Sequence, residues 1–292
     1  MRTSKAALLR AADAAAEVWA GLAKFGWLFW LALGWILLIV LAATLADVLP
    51  LPSPTDMDML ERRAPPSAAH WLGTDRLGRD MLARLIHGAR ISLTVAILAP
   101  LIALIIGGAL GILAGYFRGL LETVVVGGVD VLLAFPPLVL ALAITAYLGQ
   151  TVAHLTYIIG ILSIPAFTRV ARAATLSLAN REFILAARAM GATELRILVR
   201  ELLPNVILPL MAFFLLAVAV TIVVEGALSF LGLGVPPPAP SWGGMIGEGR
   251  ESLEVAPRIA FLPALFMFVT VLSFNVVGDT LRVLTDPRQA AL

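Results

Sequence analysis

The sequence predicts an all-α membrane protein with about six transmembrane helices. Of its 292 residues, 60% are hydrophobic and only 14% are charged, and its mean hydropathy is +0.97. Soluble domains are about 45–50% apolar and about 25% charged, so the excess apolar surface must face lipid. A helical span needs about 20 apolar residues, which leaves room for about six spans. This composition excludes a soluble globular protein, a disordered chain and a nucleic-acid-binding module.

Long apolar runs place the spans along the chain. The third run contains Asp130 and the pair Pro136-Pro137, which predicts a kink within that span. The fifth run has no charged residue at all. The expected spans are 25–46, 91–116, 123–148, 151–168, 206–224 and 259–278.

Two polar segments flank the first span. The charges of residues 1–24 are spread out, which predicts a cytoplasmic amphipathic helix on the membrane surface and not a signal peptide. Residues 47–90 are rich in proline and charge, and we expect an external loop with a short helix near 79–90. Six spans put both termini on one side. Most Lys and Arg residues then fall in the inner segments if the arrangement is N-in, C-in.

Residues 181–190 predict a short amphipathic helix outside the membrane. Asn180 is a suitable N-cap, and Glu182 in the first turn favours the helix dipole. Gly191 can adopt a positive φ and end the helix, after which Thr193 caps the next one. The helical spacing puts four apolar residues on one expected face: Phe183, Ala186, Ala187 and Met190.

That apolar face has two possible uses. It can dock in a groove on a soluble partner, or it can lie on the lipid headgroups, and the physics does not separate these uses. Pro204 follows at the start of the next span, where proline is tolerated.

Enzymatic sites are disfavoured by what the sequence lacks. There is no cysteine, and no lysine follows Lys24, so the phosphate-binding motif GxxxxGK[ST] cannot occur after that point. The three histidines have no metal-ligand spacing, and no GxSxG motif is present. We expect no catalytic residue, no metal site and no cofactor in this chain.

Three polar residues in or directly after the apolar runs are candidates for a translocation path: Asp130, Glu225 and Asn275. Acids within spans are usually functional or paired, although Asp130 also suits helix packing. Glu225 follows a long apolar run, which places it at the outer interface as a path residue, a cap or a snorkelling side chain.

The sequence GTDRLGRD, at residues 73–80, has glycines at turn positions and alternating charges. It either covers an external mouth and touches a partner, or folds onto the membrane surface. We expect Trp242, in a Pro/Gly-rich loop, to be an interfacial anchor. The residues expected at the mouth are Gly73, Asp75, Gly78, Arg79, Asp80 and Trp242.

Residues 179–205 resemble the EAA motif of membrane subunits of binding-protein-dependent ABC importers. The matching positions are Leu185, Ala186, Ala187, Gly191, Leu203 and Pro204. Leu185 stands where the motif has glutamate, and Glu182 lies one turn earlier. The stretches 70–93, 225–246 and 274–288 resemble the second permease of the dipeptide, oligopeptide and nickel branch.

This resemblance implies a type I importer fold, with residues 91–288 as its transmembrane core, in a bacterial inner membrane. It also implies a homologous permease, two ABC ATPase subunits that hold ATP and magnesium, an external binding protein, and lipid contact. Alternating access would import small peptides or a related solute. The implied contacts with the ATPase are Glu182, Phe183, Ala186, Ala187, Met190, Gly191, Leu203 and Pro204.

The alternative is a secondary transporter that works alone. That class would show inverted repeats or a cluster of ion-coupling acids in the spans, and the sequence shows neither. It would also leave the helix at 181–190 without a purpose.

Overall fold

The structure, a computed structural model, describes residues 25–285 of the chain. The expected amphipathic segment 1–24 and the end of the stretch 274–288 lie outside the described residues. No β-strand occurs between residues 25 and 285. The helices are α1 (Trp27–Thr44), α2 (Met81–Phe117), α3 (Gly119–Leu133), α4 (Pro137–Leu148), α5 (Val152–Leu178), α6 (Glu182–Ala189), α7 (Glu194–Phe230), α8 (Trp242–Gly249) and α9 (Arg258–Thr285).

Five of these helices are long and apolar enough to cross a membrane: α1, α2, α5, α7 and α9. Helices α3 and α4 together form a sixth candidate span that is bent by 78°. The bend falls at Pro136-Pro137, where Pro137 occupies the first turn of α4, a position that tolerates a missing N–H. The prediction of an all-α protein with about six spans is confirmed.

Helix α2 is the central element, with 37 residues and a length of about 55 Å. It packs along α5 because glycines let the two backbones approach closely. A Cβ at Gly107 or Gly111 would collide with carbonyl oxygens of α5. The short helix expected near 79–90 is the first part of α2. Gly88 there packs against Ser241 and does not end the helix.

Helix α7 begins at Glu194, directly after the expected cap Thr193, and continues through Pro204, the expected start of the span. Residues Ile197–Leu202 form a π-helical stretch in which the N–H of Leu203 donates to the carbonyl of Leu198. Pro204 has no N–H, and its ring would crowd the carbonyl of an ordinary α-helix. The wider turn before the proline lets the helix continue from Glu194 to Phe230.

Helix α2 links two ends of the molecule. Its last turn contacts the region of α6 and the start of α7, which we call the α6 end. Its first turn lies beside the segment 45–80 and helix α8, which we call the loop end. One buried cluster joins α1, α2, α7, α8 and α9, and another joins α2, α5, α6 and α7.

Candidate functional site

Helix α6 lies close to its expected position. Its N-cap is Arg181, whose side chain makes no capping hydrogen bond, so the assignment of Asn180 as N-cap is wrong. Asn180 instead lies in the turn that follows α5, one residue too early to cap α6. The acidic Glu182 does occupy the first turn.

The glycine bend after α6 has the expected geometry. Gly191 has φ +79°, and its N–H donates to the carbonyl of Arg188 at 3.0 Å. The hydroxyl of Thr193 then accepts from the N–H of Arg196 at 3.4 Å. The left-handed backbone at Gly191 turns the chain sharply from α6 into α7.

The buried face of α6 differs from the expected one. Ile184 and Ala187 are buried and pack with Ile197 and Leu202 of the π-helical stretch. Ala187 therefore faces the core of this chain and not a partner. Ile184 was not among the expected site residues, although its spacing of three from Ala187 is the signal that identifies the inner face.

The other expected residues of α6 are on the outside. Phe183 is 39% exposed and Met190 is 81% exposed, and Glu182, Leu185 and Ala186 are exposed as well. Leu203 and Pro204 are exposed on α7 after the π-helical stretch. We call the following set the α6 outer face: Glu182, Phe183, Leu185, Ala186 and Met190.

Tyr116, near the end of α2, connects α2 to α6 and to the start of α7. Its hydroxyl donates to the carboxylate of Glu194 and accepts from Arg188 Nη2 at 3.0 Å. Arg188 and Glu194 also lie 3.8 Å apart. Sequence analysis missed this brace, because nothing local to Tyr116 indicates partners more than 70 residues away.

At the loop end, the expected mouth residues form a buried ion cluster. Arg79 Nε lies 2.6 Å from Asp75 Oδ2, and Arg84 Nη2 lies 3.1 Å from Glu248 Oε2. Arg79 also pairs with Glu248. Asp75 and both arginines are almost fully buried, so their side chains pair inside the chain. The role expected for this segment at an external mouth stays a prediction. Arg84 and Glu248 were not anticipated.

His70 connects the start of this segment to α2. Its Nε2 lies 2.8 Å from Glu61 Oε2, and its Nδ1 lies 2.8 Å from Asp80 Oδ2. The hydrogen bond to Asp80 raises the pKa of the His70 imidazole above its usual range, with further contributions from the charges of Asp80 and Glu61. Asp80 also caps α2 by accepting from the N–H of Ala83.

Gly73 and Gly78 have φ of +74° and +79°, which agrees with the expected turn positions. Trp242, in contrast, is not an interfacial anchor. Its side chain is fully buried, and its Nε1 donates to the carbonyl of Leu85 at 3.0 Å. The indole N–H finds its partner on α2 and needs no headgroup.

The three candidate path residues each have local partners. Asp130 on α3 is exposed and pairs with Arg169 of α5 at 2.7 Å. Asn275 donates to the carbonyl of Val271 within α9. Glu225 is fully buried and accepts a hydrogen bond from Ser229 of the same helix, and its expected place at the outer interface stays a prediction. A groove of about 340 Å³ between α4, α5 and α7 is lined mainly by apolar side chains.

Comparison with known proteins decides the family. Residues 107–291 match the model of the binding-protein-dependent transport system inner membrane component. The chain belongs to this family. This permease is 41% identical over 253 residues to the glutathione transport system permease protein GsiD of Pectobacterium atrosepticum, covering 87% of this chain and 84% of the relative. The corresponding protein of Escherichia coli is 40% identical over the same length.

A solved structure of similar fold comes from inward-facing conformations of the MetNI methionine ABC transporter. The TM-score is 0.58 at 18% identity, with 70% of the permease and 98% of that chain covered. This likeness concerns the fold alone. Together the comparisons confirm that the permease is an inner-membrane subunit of an ABC importer, and they displace the hypothesis of a secondary transporter that works alone.

Proposed function

We propose that this permease forms one translocation path with a homologous permease and imports small peptides by alternating access. Two ABC ATPase subunits dock at its α6 end, and an external binding protein delivers the solute at its loop end. The observation that carries the proposal is the α6 outer face. It is exposed, partly apolar, and held on a short helix whose inner face is fixed to the core.

The contacts at the α6 end can transmit a movement of α6 to the rest of the permease. Ile184 and Ala187 fix α6 to the core, and Tyr116 braces the neighbouring turn against α2. Helix α2 then runs without a break to the loop end. A push on the α6 outer face would therefore reach the opposite end of the permease through packed helices.

ATP and magnesium belong to the partner ATPases in this proposal. The only lysines are Lys5 and Lys24, and neither stands in a GxxxxGK[ST] sequence. The permease thus has no lysine in the position that contacts the β- and γ-phosphates in such a site.

The substrate class follows from the relatives. Both GsiD proteins are named for glutathione, a tripeptide, and each covers most of this chain. We extend that class to the permease as short peptides and glutathione-like solutes. Uptake of labelled glutathione and of a labelled dipeptide into cells that express the complete transporter tests this extension.

Co-purification tests the docking role of α6. Ala186→Glu places a charge on the α6 outer face, whereas Ala68→Glu places the same charge on an exposed alanine of the loop segment. We expect tagged wild-type permease and the Ala68 variant to retain both ATPase subunits and the second permease. The Ala186 variant should retain only the second permease. Full retention of the ATPases by Ala186→Glu would show that α6 does not dock them.

A further inference from the structure

Glu225, on α7 near the loop end, is a carboxyl group without contact with solvent. Its exposed fraction is 0%. Its Oε1 accepts a hydrogen bond from Ser229 Oγ at 2.6 Å. Its Oε2 is buried and has no hydrogen-bond partner. Neither the permease family nor the α6 docking surface accounts for this group.

The surroundings of Glu225 are neutral hydroxyl groups from three segments. Ser229 belongs to α7, Ser92 to α2, and Ser241 precedes α8, and all three are buried. Two of these oxygens already accept a backbone N–H: Ser92 from Trp242 at 3.2 Å, and Ser241 from Gly244 at 3.1 Å.

No cation compensates Glu225 within the described part of the chain. The adjoining helices carry the charged side chains Arg84 of α2 and Glu248 of α8, which pair with each other. Glu225 forms no ion pair with any described residue. An ionised carboxylate in such a place costs several kcal/mol, whereas a neutral carboxylic acid costs only its imperfect hydrogen bonding.

We propose that Glu225 and the three serines form a buried proton site, in which Glu225 is a neutral carboxylic acid. This site joins α8 to α2 and α7 without leaving a bare charge in the protein. A sodium ion is the competing ligand.

The proton on Glu225 has a positioning role at the loop end. The start of α8 rests directly on this part of α7, since a Cβ at Gly243 would collide with the backbone of Gly226 and with Ser229. An ionised Glu225 would draw water into that contact and separate the two helices. When Glu225 is neutral, α8 and its residue Trp242 stay packed against α2.

Infrared spectroscopy of the purified full-length permease in lipid tests the proposal. Wild type should show the carbonyl stretch of a protonated carboxyl group at neutral pH, and Glu225→Gln should lose that band. Glu254→Gln is the matched control, because Glu254 is exposed in the segment between α8 and α9, and its removal should leave the band unchanged.

Thermal stability supplies the second readout. Glutamine keeps the shape and hydrogen bonding of a neutral acid, so Glu225→Gln should unfold within about 2 °C of wild type. Glu225→Leu leaves the serines without their partner and should unfold several degrees lower. An unchanged infrared band in Glu225→Gln would overturn the proposal. So would stabilisation of wild type, but not of Glu225→Gln, when sodium replaces choline as the cation.

Discussion

His70 contacts two acidic residues of the loop end, so its charge state affects the contacts there. Both of its ring nitrogens contact carboxylates, an arrangement that the doubly protonated ring satisfies with two donated hydrogen bonds. Its pKa is raised in the folded state, first by the hydrogen bond to Asp80. A raised folded pKa stabilises the protein below the unfolded pKa of about 6.5 and loses that stabilisation as pH rises through the folded value.

We therefore expect the melting temperature of wild type to fall more than that of His70→Gln as the pH rises above about 6.5. The measurement is thermal unfolding of both proteins in the same detergent as the pH is raised. His154→Gln serves as the control, because His154 contacts a carbonyl oxygen and no carboxylate. Parallel curves for wild type and His70→Gln would mean that the contacts of His70 with Glu61 and Asp80 add no pH dependence to the stability.

At the residue scale, the sequence predicted local backbone geometry better than contacts with distant residues. It predicted the positive φ of Gly191 and the turn positions of Gly73 and Gly78 correctly, because turn geometry is a local property of glycine. It misplaced Trp242, because an indole suits either a headgroup layer or a buried carbonyl. The indole donates to the carbonyl of Leu85, 157 residues away, and the sequence around Trp242 does not indicate that contact.

At the scale of elements, α6 illustrates how two adjacent alanines can have opposite roles. Ala187 is buried against the core, whereas Ala186 lies on the α6 outer face. A glutamate at position 187 would be buried without a cation, which costs several kcal/mol. A glutamate at position 186 would stay in solvent or meet a partner.

We expect Ala187→Glu to lower the melting temperature of the isolated permease by several degrees, and Ala186→Glu to leave it unchanged within about 2 °C. Thermal unfolding in detergent, without ATPase subunits, separates this effect from docking. Equal melting temperatures for the two variants would show that α6 is not fixed to the core through Ala187.

Sequence patterns predicted the elements more reliably than their boundaries. Apolar runs gave the spans, and Gly191 gave the end of α6. The helices nevertheless extend beyond the lipid-sized runs, as α2 and α5 do, because polar residues at their ends find partners within the protein. Arg172 of α5, for example, donates to Glu122 of α3 at 2.8 Å and continues the helix past the expected span.

At the scale of the whole molecule, the loop end is held together by charges that come from distant parts of the chain. Glu248 of α8 accepts from Arg79 and Arg84, more than 160 residues earlier. Both guanidinium groups are 1% exposed. Without Glu248 they would share Asp75 alone, which leaves an excess of buried positive charge.

We expect Glu248→Ala to destabilise the permease by about 3 kcal/mol, which is the lower end of the range for breaking a buried pair. Glu251→Ala is the matched control, because Glu251 is 69% exposed and pairs with Arg76 at 3.5 Å. An exposed pair of this kind contributes about 0–1 kcal/mol. Denaturant unfolding measures both differences, and limited proteolysis should cut the segment 47–80 faster only in Glu248→Ala. Equal losses in the two variants would mean that the buried cluster does not hold the loop end on α8.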